Sequence, residues 1–466
     1  MQPKSSDVRR ILILLSLAVA AAAPTVASGF VELGRAQQAQ AIDDPAGAMA
    51  HFEKAAQRLP WRRDLWEQAG REALAAQAPG DAVRFLERGG NLTLEGWLAL
   101  GDAYRQTGQP EQARAAYESA LSRGASAEAY AGLAAVDRAQ GDAASERAAL
   151  ENQLLLSPED AAAHYRLGLL LSLTDPEAAL MHLRRASQLD AEYEPVYQTL
   201  RAALALAQTA APPSDRLVAA GRGLGLVGEW DLAAHAFEEA VQADQGRAEA
   251  WAWLGEAKQH LGQDASTDMQ QAIALDDRSA IVRGLRGLYW KRLGDAHSAL
   301  TEYQAAAAIE PDNPAWAASL GETYARLGDL VSALAAYERA ARLAPGQSLY
   351  WRLLATFCVE NTVQVQDVGL PAARKAVELA PDDPLALDVL GWSQVAAGQY
   401  DAAEQTLLAV VSRQPDFASA RFHLALAYLQ RGDRNAAYEQ LRLALELDPN
   451  GPIGGQAAAV IKQYFP

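Results

Sequence analysis

Two stretches of this chain are copies of one pattern. Gly287, Trp290, Gly294, Ala299, Tyr303, Ala306 and Pro311 recur as Gly321, Tyr324, Gly328, Ala333, Tyr337, Ala340 and Pro345, each shifted by 34 positions. A period kept at seven positions constrains the fold more tightly than any composition can. Within each copy the small and aromatic residues fall three, four or seven apart, the spacing of one face of a helix. Gly294 and Gly328 separate two such helices, because glycine ends a helix in a left-handed conformation at little cost. Asp295 and Asp329 follow, placed to accept a backbone N–H at the start of the second helix. So short a helix pair cannot bury its apolar face alone and has to stack on neighbours.

The neighbours are present. Trp97, Leu100, Gly101 and Tyr104 are spaced W-x2-L-G-x2-Y, with Ala113, Tyr117 and Ala120 behind them. At these residues the chain resembles the tetratricopeptide-repeat family, helix–turn–helix units of about 34 residues. Weaker copies carry Ala48 and Phe52; Trp66, Gly70 and Leu86; Tyr130 and Leu150; His164, Gly168 and Leu183. Later copies carry Gly221 and Phe237; Trp251 and Gly255; Trp351 and Leu354; Gly391 and Leu407; Leu424 and Leu441. The resemblance implies an all-α fold, a right-handed α-solenoid of about eleven such units. It also implies a non-catalytic protein–protein interaction scaffold that binds proteins or peptides in a concave groove.

Register breaks once. Residues 194–209 read as a helix without a partner of its own, and Ala210-Ala211-Pro212-Pro213-Ser214 stops any helix. The expected layout is an N-terminal repeat block over 32–192, an extra helix and joint over 193–213, a second block over 214–449 and a capping helix over 450–466. The unit around Trp251 has a short second helix ending near Asp276, and a longer surface turn is expected over 361–368.

The N-terminus is different in kind. Lys4, Arg9 and Arg10 precede an uncharged run over residues 11–31. As a helix that run spans roughly 30 Å, the thickness of a bilayer core. Basic residues ahead of it favour a cytoplasmic tail over residues 1–10. The reading is a single-pass membrane anchor with the repeats on the extracytoplasmic side of a cell envelope. The alternative is a signal peptide cut near Ala27 or Ser28 and an exported chain.

The net charge of −17 argues against nucleic acid, whose phosphates require a basic stripe. Cys358 is the only cysteine, which removes internal disulfides and cysteine-based zinc sites. Residues 223–228 match G-x-G-x-x-G, but a dinucleotide site needs a strand before that turn, and here the pattern continues a helix. The seven histidines show no zinc-ligand spacing, so no metal, cofactor or small-molecule substrate is expected, nor is an enzyme.

In the family the groove is lined by positions 2, 5, 9 and 12 of each first helix. Counting from each Leu-Gly pair, the resemblance nominates Glu67, Arg71, Asp102 and Arg105 early, and Arg222 and Glu256 in the middle. Late in the chain it nominates Asp388, Trp392, Phe422 and Leu426. The groove then changes from polar to apolar, and its late part suits an amphipathic helix unless residues 454–464 cover it. The lysine/asparagine clamp that some members use on peptide carboxylates is absent. A second functional reading is an accessory regulatory subunit of an envelope polysaccharide or peptidoglycan assembly enzyme.

Overall fold

The structure, a computed structural model, describes residues 5–210 and 212–465, with side chains described from residue 23 onward. It is helical, with no strand among the described residues. The chain divides into two compact units: residues 1–210 with 219–232, and residues 211–218 with 233–466.

In the first unit run α1 (Ser5–Ala41), α2 (Pro45–Arg58), α3 (Asp64–Ala75), α4 (Pro79–Gly89), α5 (Leu94–Gln106) and α6 (Pro110–Arg123). They continue as α7 (Ala127–Gln140), α8 (Ala143–Leu156), α9 (Ala161–Leu171), α10 (Pro176–Leu189) and α11 (Glu194–Thr209). Each odd-numbered helix from α1 to α9 packs on its successor, giving five hairpins. The helix predicted over 194–209 is α11, and it packs on α10. The prolines then stop it, and α12 (Pro213–Leu226) begins at the second of them. Residues 223–226 lie inside α12, so the glycine pattern there is helix and not a phosphate-binding turn. The boundary between the units cuts α12 after Val218 and α13 (Trp230–Ala243) after Leu232.

The second unit continues with α14 (Ala248–His260), α15 (Ser266–Leu275), α16 (Ala280–Arg292), α17 (Ala296–Ile309), α18 (Pro314–Arg326) and α19 (Leu330–Leu343). Then come α20 (Ser348–Glu360), α21 (Leu370–Leu379), α22 (Pro384–Ala396), α23 (Tyr400–Arg413), α24 (Ala418–Arg431), α25 (Arg434–Leu447) and α26 (Pro452–Tyr464). The helices from α14 to α25 pair into six hairpins.

One contact explains why these residues make hairpins. A Cβ added to Gly101 would lie 2.5 Å from the Tyr117 ring, and one at Gly321 would lie 2.9 Å from the Tyr337 ring. Gly391 stands in the same relation to Leu407, at 2.4 Å. Only glycine lets the two helices approach so closely over a large side chain sixteen residues on. The turns follow the expected chemistry: Gly294 and Gly328 sit at φ 81° and 80°. Asp295 and Asp329 accept the N–H of Ser298 and Ser332 at 3.0 and 3.1 Å.

A second regularity belongs to the fourth residue of the first helix. Trp251 and Trp351 donate their indole N–H to the carbonyl six residues earlier, Gln245 and Pro345, both at 3.0 Å. Arg283 and Arg421 make the same bond through Nε, to Asp277 and Pro415. In these four hairpins the position staples the helix pair to the turn before it, whereas Trp97, at the same place in α5, leaves its indole N–H without a partner.

Two segments depart from the plain repeat. The longer turn expected over 361–368 lies at the surface, with none of its residues buried. Residues 365–369 make a turn of π-helix, and Val363 and Val368 pack on the core around Cys358 because they are too apolar to leave in water. Helix α1 runs unbroken through Gly29 to Ala41, with Ala36 and Ala39 buried. The apolar run over 11–31 falls mostly outside the residues whose side chains are described. Among the described residues no helix is long and apolar enough to cross a membrane.

Candidate interaction surface

In both units the first helices of successive hairpins touch one another: α3 with α5, α5 with α7, α14 with α16, α18 with α20, α20 with α22, α22 with α24. No two second helices pack comparably among the described residues. First helices therefore form the tighter, inward layer of each stack.

In the first unit those positions are spent on structure as much as on surface. Glu67 is buried and accepts the Thr93 backbone N–H at 3.0 Å and the Thr93 hydroxyl, tying α3 to the start of α5. Its carboxylate is not offered to a partner. Arg71 is exposed. Asp102 accepts the Tyr117 hydroxyl at 2.7 Å and lies 3.6 Å from Arg105, both half open to solvent. Arg222, on α12, is exposed.

In the second unit the early first helices carry a ladder of ion pairs. Glu256 on α14 is buried and held by both terminal nitrogens of Arg292 on α16, each at 2.6 Å. Lys291 then reaches Glu322 on α18 at 3.0 Å. A bidentate guanidinium–carboxylate pair of this kind fixes geometry as well as charge. Glu256 is thus a strut between helices rather than a groove residue.

The later first helices differ. Leu349 on α20 and Leu385 on α22, both at position 2, are 45% and 44% exposed. Between them in the count stands Arg352, at position 5 of α20, whose Nε is buried without a hydrogen-bond partner. Trp392 is half-buried, stacked on His423 with ring centres 4.5 Å apart and planes 14° apart. Asp388 is buried and accepts both His423 Nδ1–H at 2.8 Å and the Ser419 hydroxyl at 2.7 Å. Serine, histidine and aspartate meet here without making a nucleophile. The hydroxyl donates to the carboxylate, whereas an activated serine donates to the imidazole.

Phe422 and Leu426 are not groove residues. Phe422 is buried in a cluster with Leu441, Ala444 and Ala457, and Leu426, Ile453 and Val460 pack against it. Helix α26 lies over them, so the chain covers this part of the apolar face itself. The structure therefore brings Asp388 and Trp392 together through His423 and leaves Leu385 open beside them. Leu349 and Arg352 were missed, although the same count, carried into the hairpin that begins at Ser348, gives both.

Sequence models described as tetratricopeptide repeat match residues 94–136, 292–356 and 389–452. No protein of curated function matches the chain. Among solved structures, YrrB, titled a TPR protein with an unusual peptide-binding site, is 22% identical. It covers 41% of this chain and 97% of its own, with a TM-score of 0.32. The Cut9–Hcn1 assembly of APC/C is 13% identical over 94% of this chain and 98% of that one, at 0.46. Yeast Tom70 is 16% identical over 79% and 95%, at 0.34.

Proposed function

We propose that this tetratricopeptide-repeat chain is a non-catalytic scaffold that holds a partner protein on the first helices α20 and α22 of its second unit. The observation that carries the reading is the contrast along that layer. Ion pairs join α14, α16 and α18, whereas α20 and α22 leave Leu349 and Leu385 open. Exposed leucines at one position of adjacent helices suit the apolar side chains of a peptide.

Location is a further part of the proposal. The basic residues before the uncharged run over 11–31 support an N-terminal membrane anchor, with the repeats on the extracytoplasmic side of the envelope. Export after signal cleavage is the alternative outcome.

The test is affinity capture of the tagged full chain from gently solubilised native membranes, beside a Leu349→Ser, Leu385→Ser variant of equal thermal stability. One partner retained by the parent and lost by the variant supports the reading. If that partner is a polysaccharide- or peptidoglycan-assembly enzyme, the scaffold is its regulatory subunit. Equal capture by both chains sinks the surface.

A further inference from the structure

The hairpin of α9 and α10 places two histidines where the hairpin of α3 and α4 places an aromatic pair. His164 stands at the position of Trp66, which stacks on Phe85. Here the rings of His164 and His182 lie 5.1 Å apart, and their Nδ1 atoms are 2.8 Å apart.

The proton positions follow from the fold. His164 Nε2 lies 3.0 Å from the Pro158 carbonyl, six residues earlier. That is the staple that Trp251 and Trp351 make with an indole N–H. A carbonyl only accepts, so His164 carries its proton on Nε2 and presents a bare Nδ1. His182 therefore donates from Nδ1, and in the neutral pair its Nε2 is a bare lone pair. His182 can take a second proton there without breaking its bond to His164.

Around this pair is a cleft of about 580 Å³ whose polar lining includes Arg184, Arg185, Gln188 and Tyr197 and no carboxylate. In a chain of net charge −17 such a lining stands out. Arg185 is shared with Glu159 at 3.5 Å, while Arg184 pairs with no carboxylate among the described residues. Two guanidinium groups lining the same cleft repel a metal cation and attract an anion.

We propose that this cleft binds a small oxyanion, a phosphate or sulfate group, held by Arg184 with donors from Gln188 and Tyr197, and that His182 takes up one solvent proton on Nε2 as the anion enters. The site is separate from the α20–α22 surface and does not depend on it.

Proton uptake sets the pH dependence. Burial and neighbouring His164 hold His182 below the usual histidine range, opposed by Glu151 on α8. The other charges on the neighbouring elements are Arg184 and Arg185 on α10, Glu159 before α9, and on α11 Arg201, set over the Tyr197 ring, and Glu194, which is bonded to Gln198 and Ser187. An anion favours the charged ring, so affinity is greatest at low pH and falls as pH rises.

The experiment is calorimetric titration of the full chain with sodium sulfate, which does not itself titrate between about pH 5.5 and 7.5. One saturable site is expected, weakening by up to about tenfold per pH unit and drawing protons from the buffer. Arg184→Gln is expected to weaken binding at least about tenfold, and His182→Gln to flatten the pH slope. Should either variant lose helix by circular dichroism, the ring C–H resonance of His182 in the unaltered chain replaces it, and a sulfate-dependent downfield shift is expected. Absence of saturable binding, a folded Arg184→Gln chain that binds as before, or a slope that survives His182→Gln overturns the proposal. Glycerol 3-phosphate and vesicles containing phosphatidic acid then carry the same group in soluble and lipid form, and the tighter binder names the source.

Discussion

The first helices α14, α16 and α18 and the first helices α20 and α22 have the same place in their hairpins and present opposite surfaces. The former join through Glu256–Arg292 and Lys291–Glu322, while the latter leave Leu349 and Leu385 exposed. The hairpin itself is held by contacts that neither set of residues makes, the close crossing at Gly321 over Tyr337 or Gly391 over Leu407. Inner positions are therefore free to become struts or a docking face. Breaking a strut should cost stability, and breaking the face should cost binding.

The largest expected effect is on the strut. Arg292→Ala leaves Glu256 buried with only His260, 3.2 Å away, in place of a guanidinium. Removing one partner of a fully buried pair costs about 3–5 kcal/mol, and the loss here is expected at or below the lower end because Arg292 is 31% exposed. Because repeat arrays open locally, hydrogen exchange of the α14 and α16 amides is the measurement, and faster exchange there with α22 and α24 unchanged is the expected result. A companion double variant, Glu256→Leu with Arg292→Met, should restore most of the protection, since it removes both charges together.

The crossing comes next. Gly321→Ala drives a methyl to 2.9 Å from the Tyr337 ring, and the ring, packed against Phe357, has little room to move. The expected loss is about 1–3 kcal/mol, read as a lower urea midpoint. Gly294→Ala is a useful partner: it meets no neighbouring atom, but its φ of 81° is a strain for alanine. Both should destabilise, by unrelated causes.

The hairpins were legible in the sequence because their determinants are local. Glycine, aromatic and capping aspartate lie within one period of 34, and the structure uses them as the spacing implies. The surface was legible only in outline. Position along a helix gives the direction of a side chain, not what meets it. Glu67 is taken by Thr93, Glu256 by Arg292 and Asp388 by Ser419 and His423, partners 26 to 36 residues away on the next hairpin. Such pairing depends on two helices at once, and no single period encodes it. Phe422 and Leu426 went the same way, because covering them takes α26, which lies outside the repeat.

A smaller effect separates the caps from the struts. Hydrogen bonds from Ser298 and Ser332 hold the carboxylates of Asp295 and Asp329 below the usual aspartate range. A depressed folded pKa gives stability that is present above the unfolded pKa and is lost as pH falls through the folded one. Asp329→Ala should therefore lower the thermal midpoint slightly at neutral pH and make no difference once acid has protonated the cap. The strut variant differs, because its penalty at neutral pH is that of an uncompensated buried charge.

The smallest expected effect on stability belongs to the pair that should matter most for binding. Leu349→Ser with Leu385→Ser removes side chains already nearly half in water, so the expected change is within about 0.5 kcal/mol. Cys358 supplies the readout. It is fully buried in α20, burial pushes its thiol up to about 12, and it is the only thiol in the chain. Its modification by a thiol reagent therefore requires the α20–α21 hairpin to open, and its rate measures that opening. The double variant should label at the parent rate while losing the captured partner. Faster labelling would mean that the leucines hold the hairpin closed, and the difference between strut and face would then be one of degree rather than of role.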